Sequence, residues 1–117
     1  MAALSQLVDN VVVNTFELEG PITRIGRHPD NDIVIDEISV SGHHAVIEAE
    51  ENAYLDDTID FFISDSKSTN GTFLNDVRVQ GRQRLNSHDL VRIGWNLFRF
   101  VDEDENSLEK TAYILEE

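Results

Sequence analysis

Apolar residues recur in this chain mostly at every second position. Ala45, Ile47 and Ala49 alternate with Val46, Glu48 and Glu50, and Ile59, Phe61 and Ile63 alternate with Asp60, Phe62 and Ser64. Val91 and Ile93 flank Arg92, and Phe98 and Phe100 flank Arg99. A period of two belongs to strands with one face in a core and the other in water. Val11, Val12 and Val13 with Phe16 and Leu18, then Ile22, Ile25 and the run from Ile33 to Ile35, read as further strands. Turn chemistry separates them. His28-Pro29-Asp30-Asn31 is a turn cluster, Asn75-Asp76 reads as a two-residue hairpin, and Gly81 and Gly94-Trp95-Asn96 mark two more turns. Residues 51–58 read as a polar loop. Many short strands with frequent turns predict an all-β sandwich. Beyond residue 106 the period changes. Leu108, Ala112 and Leu115 recur at helical spacing behind Ser107 as an N-cap, which fits a short C-terminal helix.

Composition narrows the class. A chain of 117 residues suits one domain with a real core, and 40% hydrophobic residues argue against disorder. With no cysteine, the fold needs neither a disulfide nor a thiolate metal site, and a reducing cytoplasm is the expected compartment. No apolar run approaches the ~18 residues of a membrane span, and MAALSQLVDN has no basic stretch ahead of an apolar one, so no targeting signal is expected.

The net charge of −14 repels nucleic acid and acidic membrane surfaces, which excludes both as expected partners. It also repels phosphate, so a phosphate site here has to be a local cationic pocket in a hostile surround. The charge is uneven. Residues 102–117 carry seven acids and one base, Lys110, whereas residues 1–101 carry sixteen acids and eight bases. The expected organisation is a folded domain over 1–102 and an acidic tail over 103–117.

Three polar clusters fall in segments that read as turns: Gly26-Arg27, Ser41-Gly42-His43-His44, and Ser68-Thr69-Asn70-Gly71-Thr72. Loops at one end of a rigid sandwich are where binding residues usually lie. A phosphate dianion needs a planar guanidinium that donates two parallel hydrogen bonds, small hydroxyl and amide donors, and backbone N–H groups that approach closely. Arg27, Ser41, Thr69 and Asn70 supply the side chains, and Gly42 and Gly71 permit close approach or positive φ.

In the order of these elements, in ITRIGRHPDNDIVIDEISVSGHHAVIEAE and in SDSKSTNGTFLNDVRV, the chain resembles a forkhead-associated (FHA) domain from about Leu7 to Asp102. The resemblance implies a sandwich of about eleven strands whose loops at one end bind phosphothreonine in an extended peptide. It implies Arg27 and Ser41 as phosphate contacts, Thr69 as support for the pocket and Asn70 as the anchor for the peptide backbone. His44 is implied as a buttress of the serine loop, with Gly26 and Gly71 as turn glycines. Two positions depart from the pattern. Gly42 lacks the side chain that often reaches the ligand, and Ser39 stands where some members carry an arginine that reads an acidic residue. Aspartate is therefore not expected as the preferred third residue after the phosphothreonine; an aliphatic or loosely read residue is.

The resulting expectation is a non-catalytic module that recognises a phosphothreonine-containing protein or peptide, as a monomer or weak homo-oligomer, with no cofactor. The alternatives are a phospho-independent interaction domain and a hydrolase built on Ser41 and His44. The second lacks a marked third residue and oxyanion hole. Adjacent His43 and His44 face opposite ways on a strand and cannot share a metal, and His28 and His88 read as isolated surface histidines. No metal site is expected. Lys67, Arg78, Arg82 and Arg84 fall in or near the loops expected around the pocket, either offsetting the acidic field or as ordinary surface charge. Trp95 falls in a turn, where it is expected to cap the end of the sandwich rather than stand exposed to pack against ligand. Thr111 with Ile114 three residues later resembles a ligand for such a pocket, so a phosphorylated tail occupying its own or a neighbour's site is a further expectation.

Overall fold

The computed structural model describes residues 2–102; the tail, with its expected helix and Thr111, lies outside the described residues. Eleven strands follow in order: β1 (Ala2–Val8), β2 (Val11–Glu17), β3 (Ile22–Gly26), β4 (Ile33–Val34), β5 (Ala45–Glu51), β6 (Ile59–Asp65), β7 (Thr72–Leu74), β8 (Val77–Arg78), β9 (Arg82–Leu85), β10 (Leu90–Ile93) and β11 (Asn96–Asp102). They form a six-stranded sheet in the order β2-β1-β11-β10-β7-β8 and a five-stranded sheet in the order β4-β3-β5-β6-β9. Among the described residues the strand pairings are antiparallel except that of β3 with β4. No helix among the described residues is long and apolar enough to cross a membrane.

The alternating residues meet between the sheets. Leu4, Val91, Ile93, Phe98 and Phe100 come from one, and Ile25, Ile47 and Ile63 from the other; all are buried. Phe61 and Phe100 pack across the sandwich with tilted rings 5.4 Å apart, a favourable aromatic geometry. The hairpin at Asn75-Asp76 has positive φ at both residues (48° and 69°), the backbone that matches the twist of its strands.

Two expectations change here. β2 is an edge strand, and Val11, Val12 and Val13 are all exposed, so the valine run is a strand but contributes little to the core. Strands β1 and β9 escaped the sequence pattern. Ala2, Leu4 and Leu7 of β1 are buried, but Gln6 and a register shift between Gln6 and Leu7 break the alternation. In β9, Arg-Gln-Arg-Leu carries one core residue, Leu85.

Candidate functional site

Strand register brings the three clusters to one end of the molecule. Ala45 pairs with both Ile25 and Asp65, so the end of β3, the start of β5 and the end of β6 lie side by side. The loops that follow β3, precede β5 and follow β6 therefore converge. The opposite end of the β5–β6 pair, where Glu51 pairs with Ile59, carries the polar loop 52–58. A cavity of about 560 Å³ there is lined by Glu51, Asp56 and Asp57 among others, a set of charges unsuited to an anion.

At the loop end the contacts are specific. The Arg27 N–H donates to the Ser41 carbonyl at 2.9 Å. The Thr69 N–H donates to Ser41 Oγ at 3.0 Å, which leaves the hydroxyl proton of Ser41 free to point outward. Asn70 Nδ2 donates to the Ser39 carbonyl at 2.9 Å and keeps its own Oδ1 available. Arg27, Thr69 and Asn70 are exposed, and Ser41 partly so. The Arg27 guanidinium forms no ion pair among the described residues. Arg27, Ser41, Thr69 and Asn70 thus stand together on three loops.

Glycine makes the approach possible. A Cβ on Gly26 would overlap the Gly42 carbonyl and sit 2.8 Å from Asn31 Nδ2, so any side chain there would push the serine loop away from Arg27. Asn31, buried, ties the same two loops, its Nδ2 donating to the carbonyls of His28 and Gly42, each at 2.7 Å. Gly42 itself has room, its nearest neighbour for a Cβ being 4.0 Å away, so packing does not demand glycine there. Gly71 holds φ at 87°, in the left-handed region.

His44 is fully buried, and both ring nitrogens are engaged by backbone. The Ser41 N–H donates to Nδ1 at 3.0 Å, and Nε2 donates to the Gly71 carbonyl at 2.9 Å. The ring therefore carries its proton on Nε2 and joins the serine loop to the Thr69–Gly71 loop. Neither nitrogen meets Ser41 Oγ, as a base activating a serine would have to.

Residues outside the family pattern brace the loops. Desolvation works to raise the Asp65 carboxyl, but hydrogen bonds from Ser68 Oγ (2.5 Å), Thr72 Oγ1 (2.7 Å) and the Ser68 N–H (3.0 Å) hold it below its ordinary value. Ser68 Oγ also accepts from the Gly71 N–H at 2.9 Å, which closes the loop. Glu37 plays the same part beside the serine. The hydroxyl and N–H of Ser39 lower its carboxyl, with smaller help from Asn96 Nδ2 and the charge of Arg27. Ser39 Oγ in turn accepts from the Trp95 N–H at 2.9 Å, and Gly94 leaves space for it, since a Cβ there would lie 2.5 Å from that oxygen.

For Arg82 and Arg84 the surface-charge alternative holds, and the readings of Trp95 and His28 need correction. Arg82 and Arg84 lie on strand β9 and are committed elsewhere, Arg82 to Glu50 at 2.5 Å and over the Phe62 ring, Arg84 to Asp60 at 3.1 Å. Arg78 does approach the site, its guanidinium carbon 3.4 Å from where a Gly71 Cβ would be. Trp95 is 70% exposed and so does not cap the sandwich. His28 is not isolated: it stacks on His43 with ring centres 5.6 Å apart, and both meet Asp30.

Comparison with known proteins agrees with this architecture. A family model for the FHA domain matches residues 23–94. The glycogen accumulation regulator GarA of Mycobacterium tuberculosis is 40% identical over 74% of this chain and 47% of its own length. The transcriptional regulatory protein EmbR of the same species is 37% identical over 84% of this chain and 24% of its own. This chain thus spans about a quarter of EmbR and about half of GarA. The structure of M. tuberculosis EmbR in complex with a low-affinity phosphopeptide superposes with a TM-score of 0.71 at 35% identity, covering 86% of this chain and 24% of that one. A structure from an analysis of phosphothreonine-dependent FHA domain interactions superposes equally well, at 25% identity over 86% of this chain and 95% of its own. On the matched residues and the shared sandwich, this chain belongs to the FHA domain family.

Proposed function

We propose that the chain recognises phosphothreonine on a partner protein and performs no catalysis. The observation that carries this reading is an exposed Arg27, with no ion pair among the described residues, on a loop joined through its N–H to the Ser41 carbonyl, together with a Ser41 hydroxyl whose proton is free. A guanidinium fork and a hydroxyl donor match the oxygens of a phosphate dianion. Asn70 presents a carbonyl oxygen to the backbone of an extended peptide, and Thr69 supports the pocket by holding Ser41. Gly26, His44 and Gly71 keep the loops in register, and Gly42 leaves its side of the pocket open. The phosphopeptide bound to EmbR and the phosphothreonine-dependent interactions of the second FHA domain support the assignment. The binding unit is assigned to residues 1–102, with 103–117 as a separate acidic tail.

A single threonine peptide, titrated calorimetrically in phosphorylated and unphosphorylated forms, tests this reading. The phosphorylated form is expected to bind and the unphosphorylated form to show no measurable heat. Equal binding of both forms overturns the proposal in favour of a phospho-independent interaction domain.

A further inference from the structure

His28, Asp30 and His43 form a second polar cluster on the rim of the same loops. His28 Nδ1 lies 2.7 Å from Asp30 Oδ1, and His43 Nε2 lies 3.0 Å and 3.2 Å from the two oxygens of that carboxylate. Two imidazole nitrogens from different loops thus converge on one carboxylate, and the donor atoms all lie within 4.8 Å of one another. The loops are held at this separation by Asn31, which hydrogen-bonds the carbonyls of His28 and Gly42, and by the His28 N–H, which donates to the Gly42 carbonyl at 3.1 Å.

We propose that His28, Asp30 and His43 bind one zinc-type divalent transition-metal ion. Two imidazoles and a carboxylate are a donor set that zinc accepts, and three protein ligands leave a coordination position open. Bonds of roughly 2.0–2.2 Å in tetrahedral geometry separate neighbouring donor atoms by about 3.4 Å. The present nitrogen–oxygen distances are slightly shorter, so small rotations of exposed side chains admit the ion. It would stand on the solvent side of the loop pair, next in sequence to Arg27 and close to Gly42. There it would add two positive charges beside the proposed phosphate pocket of a strongly acidic chain. That electrostatic consequence rests on the phosphothreonine reading; the metal site does not.

Co2+ titration of the whole chain, followed by visible absorption, tests the site without any peptide. Saturable binding of one equivalent with the intense bands of a four-coordinate ion is expected. His28→Gln and His43→Gln should each weaken it by at least about tenfold, the lower range seen even when an outer-shell partner is lost. Both side chains are 58% exposed, so these variants should melt as the parent does. His88→Asn, at a positive-φ position that asparagine tolerates, should bind as the parent does. The proposal is overturned if no saturable binding occurs. It is equally overturned if the two glutamine variants bind Co2+ as tightly as the parent, which would assign binding to the acidic surface.

Discussion

Ser39 shows why single residues at this site have to be read with their surroundings. In sequence it is the position where a cation would read an acidic ligand residue. In the fold it is buried, with its hydroxyl on Glu37 and the Trp95 N–H and its carbonyl on Asn70. Its neighbours face outward instead: Ile38 is 78% exposed and Trp95 is 70% exposed. An apolar pair beside the pocket suits an aliphatic side chain downstream of the phosphothreonine. An oriented phosphothreonine peptide library is expected to select aliphatic residues at the third position after it; strong selection of aspartate would contradict this. That Arg27, Ser41, Thr69 and Asn70 stand on loops that meet was legible in the sequence because their order along the chain is distinctive. Glu37, Ser39 and Asp65 were not, because acids and serines are ordinary in loops. Their partners are also remote: Trp95 lies 56 residues from Ser39. The pairing of His28 with His43 was hidden for the same reason, since loop convergence and not spacing creates it.

At the scale of elements, strands were legible where alternation was clean, as in β5, β6, β10 and β11. Strand β9 was not, because an edge strand whose outer residues pair with acids carries no apolar alternation. The element that matters most for the site is the tight loop between β6 and β7, which Asp65 organises by accepting from Ser68 and Thr72. The folded state lowers the Asp65 carboxyl, so its stabilising contribution is fully present above the ordinary value of 3.8 and is lost as pH falls through the lower folded value. Asp65→Asn replaces one accepting oxygen by a donor facing other donors. It should cost about 1–3 kcal/mol at neutral pH. Urea denaturation across pH should show parent and variant converging in acid. A constant difference down to the lowest pH would show that the carboxylate charge is not what matters.

For the whole molecule, charge sets the rate of encounter. A net charge of −14 repels a phosphopeptide at long range, while the proposed site would attract it only at contact. Screening shortens the reach of the repulsion from roughly 30 Å at 0.01 M salt to about 8 Å at 0.15 M. The association rate of an acidic phosphopeptide, measured by stopped flow, should therefore rise with salt over this range; a fall would mean that the cationic loops dominate even at distance. None of this alters the central claim, which is that one guanidinium decides capture. Calorimetric titration of Arg27→Ala with a phosphothreonine peptide tests it most directly. Loss of a charge-assisted pair should weaken binding by roughly a hundredfold or more, about 3 kcal/mol, with the thermal melt unchanged because Arg27 is exposed. Parental affinity in a folded Arg27→Ala variant would contradict the account.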